Sequence, residues 1–186
     1  VVLLFQPAEE TGTGAQQVLG DVRFQDIRPD YIFALHNLPG YPFGRVLIRE
    51  DVFSCASRGM VVKLMGVSSH AAYPEHGRSP AGALAEIIQG LSQLPEQLNG
   101  FTLVTVIHAR LGEIAFGTAP GYAEVMATLR SDQNDHMERL AQEAVELVTH
   151  TAQKHGLDAE ISWRDSFAAT VNHGEAVKIV EEAARA

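Results

Sequence analysis

Residues 58–66 read RGMVVKLMG, an alternating stretch with the period of a half-buried strand. A polar loop follows at 68–80, SSHAAYPEHGRSP. Ser79 then supplies N-cap chemistry and Pro80 an N1 residue for a helix. Ala81, Leu84, Ala85, Ile88 and Leu91 give that helix one apolar face, and Pro95 lies just past its end. Two strands rich in Val, Ile and Thr come next, FTLVTVIHARLG at 101–112 and YAEVMATLRS at 122–131, joined by a Gly/Pro connection. A long helix carries Met137, Leu140, Ala141, Ala144, Val148 and Ala152 at helical spacing and stops at Gly156. AEISWR at 159–164 is the last strand. The order βαββαβ is the split βαβ, ferredoxin-like arrangement of four antiparallel strands with two helices on one face. Its extent, about Ser57 to Arg164, is that of an inserted domain.

Outside this unit the rhythm differs. VVLLF at 1–5 is a continuous apolar run and reads as a central strand buried on both faces. TGTGAQQVLG at 11–20 reads as loop and short helix, with Thr13 as N-cap and Gly20 as C′ residue. DYIFALHN at 30–37 and RVLIRE at 45–50 read as further strands. The tail from Phe167 returns to helix, with Asn172 as its N-cap. The expected fold class is α/β: a partial α/β domain with an inserted ferredoxin-like (βαββαβ) α+β domain.

Composition narrows the function classes. The chain has 186 residues and a net charge of −9, which disfavours a nucleic-acid partner. A single cysteine, Cys55, excludes an internal disulfide and fits a reducing, cytoplasmic setting; nothing beside it in sequence would activate it as a nucleophile. No apolar run approaches the roughly 20 residues of a membrane span, so no membrane partner is expected. The opening VVLLFQP reads as mid-domain sequence, so the chain is expected to be a piece of a longer protein.

Four places carry candidate chemistry. Glu9 and Glu10 stand side by side after the first apolar run, and like charges in contact repel unless a cation or proton lies between them. In that position one carboxylate can ligate a metal while its neighbour takes a proton from water. His36 ends the next apolar run, and imidazole with carboxylate is a common zinc ligand combination. His70, in a loop it shares with His76, can offer an imidazole to a developing oxyanion. Arg130 ends a strand, where it can hold a carboxylate bidentately.

QPAEE at 6–10, the run ending in LHN at 35–37, and HAAYP at 70–74 together resemble the metal-dependent amidohydrolases of the aminoacylase, hippurate hydrolase and auxin-conjugate hydrolase group, within a wider dinuclear metallopeptidase family. The resemblance runs through most of the chain. It implies Glu9 as general acid/base, Glu10 and His36 as metal ligands, and His70 and Arg130 as substrate-binding residues. It implies two divalent ions, zinc or manganese, nickel or cobalt. It also implies a small N-acyl amino acid or peptide substrate and a homodimer formed through the inserted domain. In that reading residues 1–56 are part of a catalytic domain, 57–166 the lid and dimerisation domain, and 167–186 the return to the catalytic domain. Further ligands are expected beyond both ends of the chain. One departure is AFGTAP at 115–120, where Gly117 replaces an asparagine that contacts substrate in relatives. The expected function is metal-dependent hydrolysis of an amide in an N-acyl amino acid or small peptide. The alternatives are a non-catalytic scaffold or ligand-binding relative, and a βαββαβ unit acting alone as a regulatory domain.

Overall fold

The structure, a computed structural model, describes residues 1–185. The chain divides into two units: Val1–Ser54 with the segment from Thr170 onward, and Cys55–Ala169. In chain order the elements are a 3-10 turn Glu9–Thr11, α1 Thr13–Gly20, α2 Phe24–Ile27, β1 Asp51–Ser54, β2 Ala56–Met65, β3 Ser69–His70, a 3-10 turn Pro74–His76, α3 Ala81–Gln93, β4 Thr102–Leu111, β5 Thr118–Ala119, β6 Tyr122–Ser131, α4 Asn134–Lys154, β7 Asp158–Phe167, β8 Thr170–Asn172 and α5 Gly174–Arg185.

In the second unit β2, β4, β6 and β7 form one sheet in the order β4-β6-β2-β7, antiparallel at every pairing. This is the βαββαβ topology expected from the sequence. Ala56, Met60, Val62 and Leu64 of β2 and Ala123, Val125, Ala127 and Leu129 of β6 are buried on one face of the sheet. Helices α3 and α4 pack on that face, contributing Ile87, Leu91, Met137, Leu140, Ala144 and Val148 to a continuous core. Burying each such aliphatic side chain stabilises the fold by about 1.5–3 kcal/mol.

Helix α4 buries the residues its spacing predicts, together with Thr151. It ends where Gly156 adopts a left-handed φ of 64°, and the Leu157 N–H donates back to the Ala152 carbonyl at 2.9 Å. The fully buried stripe of α3 is Ala83, Leu84, Ile87 and Leu91, with Ile88 partly buried against the core; Ala85 is exposed and Ala81 only half-buried. Both stripes satisfy the i, i+3/i+4 rule, and packing against β4, β6 and α4 selects between them. The N-cap is Pro80, whose carbonyl accepts from the Leu84 N–H at 2.8 Å, and not Ser79 as expected; the Ser79 hydroxyl, one residue earlier, accepts from the Ala81 N–H at 3.3 Å. Between helices, Lys154 Nζ and His155 Nε2 reach the Glu86 carboxylate at 2.8 and 2.9 Å, and Arg58 pairs with Glu138 of α4.

The face of the sheet away from the helices is open. Ser57 lies opposite Arg130 on β6 and Phe167 on β7; Gly59 lies opposite Thr128 and Arg164. Between those rows β7 bulges. Ser57 and Gly59 are separated by one residue, and their partners Phe167 and Arg164 by two, with Asp165 at φ 45°.

The first unit corrects three expectations. VVLLF, DYIFALHN and RVLIRE form no strand; the only strands among the described residues of this unit are β1 and β8, paired antiparallel. A strand buried on both faces takes its hydrogen bonds and its apolar cover from neighbours, and its own sequence does not supply them. Leu3, Phe5 and Leu35 are 80%, 87% and 95% exposed, so that cover is absent among the described residues. Three caps also differ. Gly20 is the last residue of α1 and not its C′ residue, with Asp21 at the C-cap. Gly12, not Thr13, occupies the N-cap position of α1. Asn172 belongs to β8, and its side-chain amide donates to the Arg49 carbonyl at 2.9 Å. No helix among the described residues is long and apolar enough to cross a membrane.

Candidate functional site

The acidic couplet sits in a tightly formed turn. Ala8, immediately before it, adopts left-handed φ 51° and ψ 42°, a conformation that is strained for a residue with a Cβ. Gly12 closes the turn at φ 71°, donating its N–H to the Glu9 carbonyl at 2.9 Å. Gly14 is buried where a Cβ would overlap the Pro7 carbonyl oxygen, so only glycine fits there. The glycines of PAEETGTG thus let the start of α1 fold back onto Pro7 and present Glu9 and Glu10 in the turn just before a helix N-terminus, where the helix dipole favours negative charge. Both side chains are exposed, and among the described residues neither carboxylate has a hydrogen-bond or ion-pair partner.

His36 lies in the same unit and is exposed. Its Nδ1 is 2.7 Å from the Asn37 carbonyl oxygen. A carbonyl only accepts, so Nδ1 carries the hydrogen and the neutral ring keeps its lone pair on Nε2. This second-partner arrangement is typical of metal-ligating histidines. Among the described residues no group of three or more His, Cys, Asp or Glu side chains is placed to hold a metal ion. Glu10 and His36 have the donor chemistry for a zinc-type ion, but a tight site needs at least one more protein ligand.

In the second unit, His70 stands on the two-residue ribbon β3–β5, opposite Thr118. The loop that carries it is closed at its base by a pair of hydrogen bonds between Val67 and Arg78, at 3.0 and 2.7 Å. Gly66 and Gly121 flank that closure, each at a spot where a Cβ would collide with backbone of the facing segment. The Ala72 N–H donates to His70 Nδ1 at 3.1 Å. A backbone amide only donates, so Nδ1 is unprotonated and the neutral ring carries its hydrogen on Nε2. His70 is therefore the opposite tautomer to His36. Tyr73 stacks on His76 at a centroid distance of 5.7 Å and lies tilted against His70 at 5.9 Å. The Gly117 carbonyl accepts from the Ala71 N–H at 3.0 Å, while no atom lies within 4 Å of a Cβ placed on Gly117. A side chain such as asparagine would find room there.

Arg130 is exposed on the open face of the sheet, near the end of β6. Two features are not foreseen from the sequence, the left-handed Ala8 and the β7 bulge that follows Arg164, which itself lies on the same open face by regular alternation with Glu160 and Ser162. The bulge had no signal in AEISWR. The interior glycine of a strand pattern, Gly59, was the available hint.

The fold and these residues define a class: an α/β protein bearing a ferredoxin-like unit, with a carboxylate couplet and two histidines of opposite tautomer. The sequence matches Peptidase family M20/M25/M40 over residues 1–186, and the chain belongs to that family. Curated relatives include uncharacterized hydrolases of Staphylococcus saprophyticus, 28% identical over 97% of this chain, and of Staphylococcus epidermidis, 26% identical over 98%. The chain spans 48% of the length of each, about half. Among solved structures, the Bacillus subtilis YXEP protein, described as a dinuclear metal binding peptidase from the M20 family, aligns over 97% of this chain and 45% of its own at TM-score 0.70 and 23% identity. The aminobenzoyl-glutamate utilization protein of Klebsiella pneumoniae aligns over 77% and 36% at TM-score 0.68 and 24% identity. Likeness at that level of identity establishes the fold.

Proposed function

We propose that this chain carries the general base and part of the metal site of a divalent-metal-dependent amidohydrolase acting on N-acyl amino acids or small peptides. The observation that carries the reading is the pair of tautomers. His36 keeps a basic Nε2 suited to a cation, and His70 presents an Nε2–H suited to an anion. Metal-assisted amide hydrolysis can use both, a lone pair for the cation and an N–H for the oxygen that gains charge. Glu10 and His36 would hold a divalent ion together with ligands from the rest of the protein, and the bound ion would lower the pKa of water. Glu9 accepts the proton as water attacks the carbonyl carbon and delivers it to the leaving nitrogen. Its exposed carboxylate has no competing partner among the described residues. The Nε2–H of His70 donates to the oxygen that gains negative charge. Arg130 holds the substrate carboxylate. A homodimer formed through the ferredoxin-like unit belongs to the same proposal.

The experiment is hydrolysis of N-acetyl and N-benzoyl amino acids by the full-length protein with metal analysis alongside. Glu9→Gln should lower kcat by about 10²–10⁴-fold with metal content and melting temperature unchanged. His36→Ala should lower metal content. Full turnover in Glu9→Gln would overturn the base assignment, and a wild-type protein without bound metal or turnover would favour the scaffold reading.

A further inference from the structure

The open face of the ferredoxin-like sheet carries two arginines whose side chains make no ion pair or hydrogen bond among the described residues, Arg130 on β6 and Arg164 on β7. They flank the central strand β2 at Ser57 and Gly59, the two smallest positions on that face. Gly59 is interior to a central strand, where glycine weakens pairing and marks a close approach. A Cβ there would lie 3.2 Å from the Arg164 carbonyl oxygen and 3.4 Å from the Arg164 Cβ, so β7 packs closely on β2 at this point and Gly59 places no side chain between the two arginines. The β7 bulge begins at the very next residue, with Asp165 at φ 45°. Bulges re-aim side chains beside functional sites, and this one follows directly on Arg164.

The rest of the face handles charge differently. Arg110, Glu124, Lys63 and Glu160 lie opposite one another across β4, β6, β2 and β7, alternating in sign. At the other end Arg130 and Arg164 have only Leu103, Thr105, Thr128 and Phe167 as row neighbours, none of them charged. Strand spacing of about 4.8 Å and a rise of about 3.3 Å per residue put their Cα atoms roughly 12 Å apart. Over that distance, with only Ser57 and Gly59 between them on β2, two arginine side chains are long enough to grip the two ends of a short dicarboxylate.

We propose that Arg164 and Arg130 form a two-guanidinium clamp for a ligand with two carboxylates, and that Arg164 selects an acidic amino-acid moiety in the substrate. The second clause rests on the hydrolase reading above. The clamp itself does not.

The test uses isothermal titration with glutarate as probe and butyrate as its singly charged counterpart. Glutarate should bind at least about 10-fold more tightly than butyrate, and Arg164→Gln and Arg130→Gln should each weaken it by about 10-fold, as loss of a charge-assisted bidentate pair implies. Lys63→Gln, on the same face within the balanced row, should change it less than about 2-fold. If Arg164→Gln disturbs the bulge and the fold, Arg164→Lys keeps the charge without the bidentate geometry and should still weaken glutarate binding. Equal binding of glutarate and butyrate, or equal losses in Arg164→Gln and Lys63→Gln, overturns the clamp. In the full-length protein, Arg164→Gln should raise KM for N-acetyl-glutamate and leave KM for N-acetyl-glutamine and both kcat values in place. Turnover with no such split sinks the selectivity while leaving the hydrolase reading intact. Glutarate binding without turnover leaves the clamp standing and sinks the hydrolase reading together with the selectivity that rests on it.

Discussion

At the scale of single residues, what a side chain can do here is set by the backbone atom beside it. His36 and His70 are both exposed histidines, and nothing in their residue type separates them. The Asn37 carbonyl makes one a base at Nε2, and the Ala72 amide makes the other a donor there. The candidate positions were therefore legible from the sequence, through the couplet Glu9–Glu10 and through the family resemblance, but the tautomers were not. They depend on turn geometry that no pattern of residue types encodes. The couplet's turn makes the same point. Its shape rests on Gly12 at φ 71° and on the absence of a Cβ at Gly14. Gly14→Ala places a methyl group against the Pro7 carbonyl, so either the start of α1 or the segment holding Glu9 must shift. Activity of the full-length protein should fall by about 10²-fold, because a displacement of an ångström at a reacting group has that effect. Far-UV circular dichroism should stay close to wild type, since the second unit shares none of these contacts. Kinetics of Gly14→Ala beside the wild type would settle the matter; unchanged kcat/KM would mean the turn tolerates the shift.

At the scale of elements, period was a reliable guide where an element has one dry face and one wet face. β2, β6 and α4 each present that contrast, and each appears with the face its sequence assigns. It failed for the runs at 1–5, 30–37 and 45–50, which have no contrast to read, and it was ambiguous for α3. Polar ties between elements were also invisible in advance. Glu86 of α3 is held below its ordinary value of 4.5 mainly by hydrogen bonds from Lys154 and then His155, and Glu138 of α4 likewise by a hydrogen bond from Arg58. A carboxyl whose folded pKa is depressed contributes stability that is complete above the unfolded value. That contribution is lost as the pH falls through the folded value. Wild type should therefore lose melting temperature on acidification below about pH 4.5. The double variant Glu86→Gln, Glu138→Gln should start slightly lower at pH 7 and fall less steeply. Both pairs are largely solvated, so the difference at pH 7 is small. Thermal melts of the two proteins from pH 7 to pH 3 provide the check, and parallel curves would show that the two pairs contribute nothing.

At the scale of the whole molecule, the two units differ in how much of their stability they contain. The second unit has four strands paired along most of their length, two helices on one face and a core of fully buried aliphatic side chains. Every central strand has both neighbours. The first unit has two short paired strands, and most of its large apolar side chains are exposed. A domain folds alone when its own apolar surface is covered by its own elements. Residues 55–169 meet that condition. Expressed by themselves they should unfold in one cooperative transition, with calorimetric and van't Hoff enthalpies in agreement. Leu140→Ala, at a position with no exposure in the centre of α4, should cost this piece about 2–5 kcal/mol, which is a melting-temperature drop of more than 8 °C at roughly 4 °C per kcal/mol. Residues 1–50, with few internal backbone hydrogen bonds outside α1 and the turns, should exchange their amide hydrogens within seconds in the 186-residue chain, while β2 and β6 stay protected for far longer. A hydrogen-exchange map with equal protection in both units would show that the first unit's apolar runs find cover the structure does not display, and the assignment of independent stability to the ferredoxin-like unit would fail with it.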